Sequence, residues 1–466
     1  MPRAGTRNSR ARANGNGAAV DRRLGYSMLR GQIEMLRHQY LTQKTTPTAI
    51  MARHIAAAQE LGTTLNAFTQ VLDATAMREA HASTMRYRMG QPLSALDGIP
   101  VSVKDLLHVA GTPTGAGSRA YSSAVQDRDA ALVTQLRQAG AIIMGKTNLL
   151  EFAFGLVHPA LGPVHNPWDL TLTMGGSSSG AAAAVAAGIG VVAVGTDTAG
   201  SIRNPAALGG VVGFKPSYGF YSPEGLIPLS PSLDHLGWIA PTVADIRTVT
   251  ETLGLVPRDP GDRPHVVVAD LGFTQPDVRD LTQRLVTAMS AIADVQDGFV
   301  FAWDQANAAA LVLITAEAYA VHRDWLRTRW ANYSVGTRAR LLAGSRITTA
   351  EYLRARQVRA WLQAEWLRRT VDWDFVVLPT LPSVAQPESR TGDEELASAT
   401  LYTSTFALLG LPAISVPSGL TPANRPAGLQ IVGRPGHDAE LLAFAAQVEA
   451  IRGPLPRPPH YAYIID

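Results

Sequence analysis

A chain of 466 residues without a single cysteine must draw any covalent nucleophile from oxygen or nitrogen, and it builds neither disulfides nor thiolate metal sites. Three stretches carry side chains suited to oxygen-nucleophile chemistry. They are Asp97-Gly-Ile-Pro-Val-Ser-Val-Lys104-Asp105, Gly175-Gly-Ser177-Ser178-Ser179-Gly180 and Gly195-Thr-Asp-Thr-Ala-Gly-Ser201-Ile-Arg203, with Lys215-Pro216 just beyond. Lys104 ends a strand-like apolar run where an ammonium is costly to bury, and a lysine held there loses basicity and can accept a proton. The competing reading is a lysine that packs its stem and keeps its head in water. Thr198, Ala199, Gly200 and Ser201 are small enough for successive N–H groups to converge on one oxygen, as an oxyanion hole requires, each preorganised donor being worth about 3 kcal/mol. Ser201 would then be donor and nucleophile at once. Asp197 and Arg203 either brace this loop or form an ordinary surface pair.

Other strings compete. Gly140-Ala-Ile-Ile-Met-Gly-Lys146-Thr147 matches the phosphate-loop pattern letter for letter, and Val266 to Asp270 resembles the hydrophobic strand whose terminal Asp would hold magnesium. The residues between the glycines are an apolar, strand-like run preceded by a helix, however, and not an irregular cradle of amides after a strand. Gly176-Ser177-Ser178-Ser179-Gly180 fits the nucleophile elbow, which would make Ser178 the nucleophile of an α/β-hydrolase. An elbow needs a strand before it, yet Pro167 and its polar neighbours suggest a loop, and His235, His265, His322, His437 and His460 stand in no distinctive setting. Gly115-Ala-Gly-Ser-Arg-Ala is a weaker echo of a dinucleotide fingerprint, without its βαβ context.

The elements that must position these residues alternate. Helical spacing from Leu24 to Ala82 leads into strand-like Ile99–Val103, a helix around Leu132, Val133 and Leu136 capped by Asp129, a strand Ala141–Met144, a helix Ala181–Ala187 and a strand Val191–Val194. Strands return at Phe375–Leu378, Ala413–Val416 and Leu429–Val432, before a last helix from Asp438. The pattern predicts an α/β fold with a central mixed, twisted sheet covered by helices on both faces. It forms one large domain over 24–466, with a helical insertion at about 258–372 that holds one strand, Phe299–Phe301.

The three chemical stretches together resemble the amidase-signature family, as do Gly410-Leu-Pro-Ala-Ile-Ser-Val-Pro417 and Pro426-Ala-Gly-Leu-Gln-Ile-Val-Gly-Arg-Pro435 near the C-terminus. The likeness runs from about Leu65 to Pro241 and from Asp374 to Glu449. It implies Ser201 as nucleophile, Ser177 as bridging serine 24 positions earlier, Lys104 as base, and a cis peptide bond between Gly176 and Ser177. The activity implied is hydrolysis of a linear amide, or of a carbamate, urea or ester, without a cofactor or metal. The alternative is the ammonia-releasing subunit of a transamidating assembly. Two departures stand out: Ser179 takes a position that is usually glycine, and Ala199 stands where many members have glycine, a concern if the backbone there needs a positive φ. Phe152, Phe154 and Trp168 are candidate pocket aromatics, with core packing as the alternative for each.

Composition narrows the partners. Hydrophobic residues make up 46% and charged ones 17%, a core-forming balance. Six arginines against one aspartate put +5 on residues 1–23, so a chain of net +3 leaves −2 on the rest. The first 23 residues read as a disordered basic arm, and the near-neutral remainder offers no face for nucleic acid. No apolar run spans a membrane and no secretory h-region is present, so a cytoplasmic protein is expected, acting on a small amide or carbamate and compatible with a homodimer.

Overall fold

The computed structural model describes residues 31–121, 124–154, 156–269, 272–388 and 400–465. The expected basic arm, 1–23, and Asp270 lie outside them. Among the described residues the chain forms thirteen strands: β1 Phe68–Val71, β2 Pro100–Lys104, β3 Ile142–Thr147, β4 His165–Asn166, β5 Asp169–Thr173, β6 Val192–Asp197, β7 Val212–Lys215, β8 His235–Ala240, β9 His265–Ala269, β10 Asp294–Phe299, β11 Phe375–Pro379, β12 Ala413–Leu420 and β13 Pro426–Val432. Eleven of them make one mixed sheet in the order β1-β3-β2-β6-β8-β7-β12-β13-β11-β9-β10. Strands β3, β2 and β6 are parallel neighbours, as are β11, β9 and β10; the remaining pairs in the sheet are antiparallel.

The strands at the centre are buried along their whole length, which is why they read as continuous apolar runs. One core cluster joins β2, β6 and β8 to the helices Gln32–Leu41, Ala131–Gln138 and Asp438–Arg452. A second joins β3 and β6 to the helices Pro47–Thr64 and Ser179–Ala186. Helix Pro47–Thr64 starts as its sequence dictates, with the Thr46 hydroxyl accepting from the Ala49 N–H and proline at the first helical position. Helix Ala131–Gln138 is capped differently from expectation: Ala130 is the N-cap, while Asp129 accepts from the Ala110 N–H and pairs with Arg137.

The segment expected as a helical insertion contributes helices Pro276–Met289, Trp303–Thr328, Val335–Gly344 and Thr349–Arg369, and also strands β9 and β10 of the main sheet. Its second strand lies at Asp294–Phe299, upstream of the expected Phe299–Phe301. That strand closes the sheet edge and is mostly exposed, so its residues are polar. Phe301 instead packs edge-on against Trp303 and Trp366.

Candidate active site

Parallel pairing sets Val101, Ser102 and Val103 of β2 opposite Val192, Ala193 and Val194 of β6. Lys104 ends β2 and Thr196-Asp197 ends β6, so these groups meet at the carboxyl ends of neighbouring parallel strands, where open α/β sheets hold their sites. Ser177 and Ser178 immediately precede helix Ser179–Ala186, in which every residue is buried. Its small side chains permit a close approach: a Cβ at Gly180 would fall 2.3 Å from the Ala67 carbonyl oxygen. Ser179 opens this helix without a positive φ, so a serine at that position carries no left-handed strain. The Gly176–Ser177 peptide bond is cis.

Lys104 is fully buried and meets three hydroxyls, with Nζ 2.8 Å from Ser177 Oγ, 3.0 Å from Ser178 Oγ and 2.8 Å from Thr196 Oγ1. Among the described residues no carboxylate lies within ion-pair distance of it. Burial lowers its pKa to about 7, against the weaker opposing pull of Asp197 and Asp234. A neutral amine has two N–H donors and one lone pair, so one of the three hydroxyls must donate to it. Ser178 is spent: its Oγ donates to the Thr196 carbonyl at 3.2 Å and accepts from the Thr196 N–H at 3.3 Å. Ser177 and Thr196 remain as proton donors to the amine. Ser177 and Ser178 are buried, whereas Ser201 is half-buried and is the one of the three serines with substantial exposure.

The loop around Ser201 is braced from inside. Buried Asp197 receives Arg203 through Nε at 2.9 Å and Nη2 at 2.8 Å. Burial pushes its carboxyl pKa up, but the Arg203 guanidinium, Lys215 and His235 outweigh that and hold it below the usual carboxylate range. The pair is therefore internal bracing and not a surface contact. Gly200 departs from the expected oxyanion set, because its N–H donates inward to Asp197 Oδ1 at 2.7 Å. The other end of the same peptide unit, the Ala199 carbonyl, accepts from Thr403 Oγ1 at 2.6 Å. Among the described residues no group accepts from the N–H of Thr198, Ala199 or Ser201, which leaves three amides of the expected four. Ala199 does not have a positive φ; the left-handed position is Gly200, at 128°, where a Cβ would come within 2.2 Å of Thr403 Oγ1. The Ser178 N–H donates to the Ser201 carbonyl at 3.1 Å and ties the two serine loops together.

A profile of the amidase family matches residues 49–290 and 280–442. The chain belongs to that family. The match includes the 258–372 segment, where no alignment to the family was apparent from sequence. Curated relatives include proteins named as subunits of glutamyl-tRNA(Gln) amidotransferase, one from Anaeromyxobacter dehalogenans (strain 2CP-C), 35% identical over 88% of this chain and 94% of the relative. Another, from Myxococcus xanthus (strain DK1622), is 35% identical over 85% and 92%. A crystal structure of an amidase superposes with a TM-score of 0.84 at 35% identity, covering 90% of this chain and 99% of that one. The native peptide amidase of Stenotrophomonas maltophilia gives 0.77 at 28%, covering 92% and 98%.

Within this amidase-family chain the competing strings have structural employment. Gly140–Thr147 is a helix end followed by buried β3, and Lys146 pairs with Asp105 at 2.6 Å and donates to the Pro113 carbonyl at 2.7 Å. Among the described residues no imidazole is a hydrogen-bond partner of Ser178. His235 is buried with Nδ1 2.6 Å from the Leu233 carbonyl, and His322 is buried against the Tyr333 hydroxyl at 2.9 Å. Phe152 is a correction: it is buried among the rings of His322, Trp325 and Tyr333 and presents no face to a ligand. Trp168 is half-buried and donates its indole N–H to the Gly209 carbonyl, at the end of helix Arg203–Gly209 remote from Ser201. Phe154 packs half-buried against the main core, and its carbonyl accepts from Arg340. Three further residues, Thr196, Asp234 and Thr403, stand at the site without having been expected there. Thr196 sits within one of the three chemical stretches; the other two carry no local signal.

Among the described residues no helix is long and apolar enough to cross a membrane.

Proposed function

We propose that this chain cleaves the C–N bond of a carboxamide through an acyl-enzyme on Ser201. One observation carries the reading: a buried lysine with no carboxylate partner among the described residues, its pKa lowered to about 7, in hydrogen-bond contact with Ser177. Neutral Lys104 takes the Ser177 proton while Ser177 takes that of Ser201, whose Oγ bonds to the amide carbon. The carbonyl π pair moves onto oxygen, where the N–H groups of Thr198, Ala199 and Ser201 receive it. As the tetrahedral intermediate collapses, the oxyanion pair re-forms the carbonyl and the C–N bond breaks; Ser177 passes its proton to the leaving nitrogen and takes one back from Lys104, and ammonia or an amine departs. Water then attacks the ester by the same relay, releasing the carboxylic acid and free Ser201. A fluorophosphonate probe followed by mass spectrometry tests this: a label on Ser201 is expected, and a label on Ser178 instead would overturn it.

The names of the curated relatives favour a setting in which the liberated ammonia is used by a transamidating assembly, this chain being its ammonia-releasing subunit and its partners being other chains. The similarity to a solved amidase, at equal identity and over 99% of that chain, favours a free-standing amidase of small amides as a second reading. Purified chain separates them. Ammonia release from glutamine that rises on adding partner subunits and ATP supports the first, and full turnover of a simple amide or anilide by the chain alone supports the second.

A further inference from the structure

The loop that presents Ser201 has an anchor on the far side from Arg203, and it leads into the 258–372 segment. Thr198, the first of the three available amides, is buried and donates its hydroxyl to Asp234 Oδ1 at 2.6 Å. Asp234 Oδ2 accepts from the N–H groups of Leu229 at 2.9 Å and Ser230 at 3.0 Å, so it closes the turn at 229–234 on itself. That turn is held in place by Glu317, from the middle of helix Trp303–Thr328. Glu317 Oε2 accepts from Ser230 Oγ at 2.7 Å and the Ser232 N–H at 3.0 Å, while Oε1 accepts from Ser232 Oγ at 2.6 Å and Tyr352 Oη at 3.0 Å. Four donors on one carboxylate match the lone-pair sites available to it. Arg359 adds a bond of 3.0 Å to the Ser232 carbonyl from helix Thr349–Arg369.

We propose that Glu317 is a positioning residue for the reaction at Ser201, fixing Thr198 through the turn at 229–234 and Asp234 so that the Thr198 N–H points at the developing oxyanion. The proposal rests on the reading of Ser201 as nucleophile. Its physical basis is that an oxyanion donor works only when held within a few tenths of an ångström before the charge develops, and the groups behind it do the holding. Thr198 has no such support from its own strand, because β6 ends at Asp197. The support comes from Asp234 and, behind it, from the helix carrying Glu317.

The test measures kcat and KM on an amide substrate, together with the rate of fluorophosphonate labelling, for Glu317→Ala, Glu317→Gln, Thr198→Val and the Glu317→Ala/Thr198→Val pair. Glu317→Ala should lower kcat and labelling by about 10- to 100-fold, with KM within about threefold of wild type. Glu317→Gln should recover to within about threefold, because its NH2 can take the Oε1 position, where both partners are hydroxyls able to accept. Thr198→Val should lose about as much as Glu317→Ala, and the double variant little more than either, since both break one linkage. Independent, multiplying losses, or Glu317→Ala labelling at the wild-type rate, would overturn the proposal. Should Glu317→Ala fail to fold, Thr198→Val retaining wild-type kcat would overturn it alone. Wild type labelled elsewhere than Ser201 marks failure of the underlying reading, a result separate from all of these.

Discussion

Lys104 and Lys146 lie on adjacent parallel strands, one register step apart, and both are buried, at 0% and 1% exposure. Successive positions along a strand face opposite sides of the sheet. On one side Lys104 meets three neutral hydroxyls; on the other Lys146 meets the carboxylate of Asp105 at 2.6 Å. Burial pushes both pKa values down. What separates them is the neighbour: a carboxylate restrains the proton and makes a buried ion pair, whereas hydroxyls leave the amine able to become neutral and to accept. Equal burial thus yields a structural cation in one place and a candidate base in the other.

The sharpest break in this comparison is substitution at each lysine. Lys104→Ala should reduce kcat/KM by roughly 10³-fold or more while the protein stays folded, as measured by steady-state kinetics and circular dichroism. Lys146→Met should do the reverse, leaving Asp105 buried without its partner and lowering stability by about 3–5 kcal/mol in urea unfolding. Specific activity of its folded fraction should change far less than in Lys104→Ala.

Backbone geometry gives the next contrast. Gly200→Ala places a Cβ 2.2 Å from Thr403 Oγ1 at a φ of 128°, so about a 10²-fold loss of kcat is expected from displacement of the proposed oxyanion loop. Ala199→Gly, one residue away and outside the left-handed region, should change kcat by less than about threefold. A large gain there would show that the methyl obstructs the site.

The pH profile offers the gentlest test. Protonated Lys104 cannot accept, so kcat/KM should rise with pH through about 7 and level off above it. For stability the sign follows from the lowered folded pKa: between about 7 and 10.5 the unfolded chain binds the extra proton, so folding gains as pH rises through that window. In urea unfolding, wild type should gain stability relative to Lys104→Met as pH rises across that window. A profile flat from pH 6 to 8 would put Lys104 in the same class as Lys146.

Strands β2, β3, β6, β11, β12 and β13 were legible as short runs rich in apolar residues, and the three chemical stretches fall at strand ends or ahead of short helices, whereas β1, β7 and β8 were not anticipated. Strand β10 was misplaced because an exposed edge carries polar residues, as in Asp294-Val-Gln-Asp-Gly. Phe152 was ambiguous for a different reason, since a core aromatic and a pocket aromatic have the same local sequence.

The sequence by itself supplied the candidate groups: a serine in a loop of small residues, a lysine at the end of a buried strand, and serines ahead of a helix of alanines. Those are properties of residue type and of neighbours within a few positions. Tertiary structure decided which of the serines is spent, which amide of the loop turns inward and what holds the loop still. Ser177 lies 73 positions from Lys104, Asp234 lies 36 from Thr198, and Thr403 lies 204 from Ala199. Partners that distant are chosen by how helices and strands pack, and a hydrogen bond needs its two atoms within about 3 Å, a precision that no local pattern encodes.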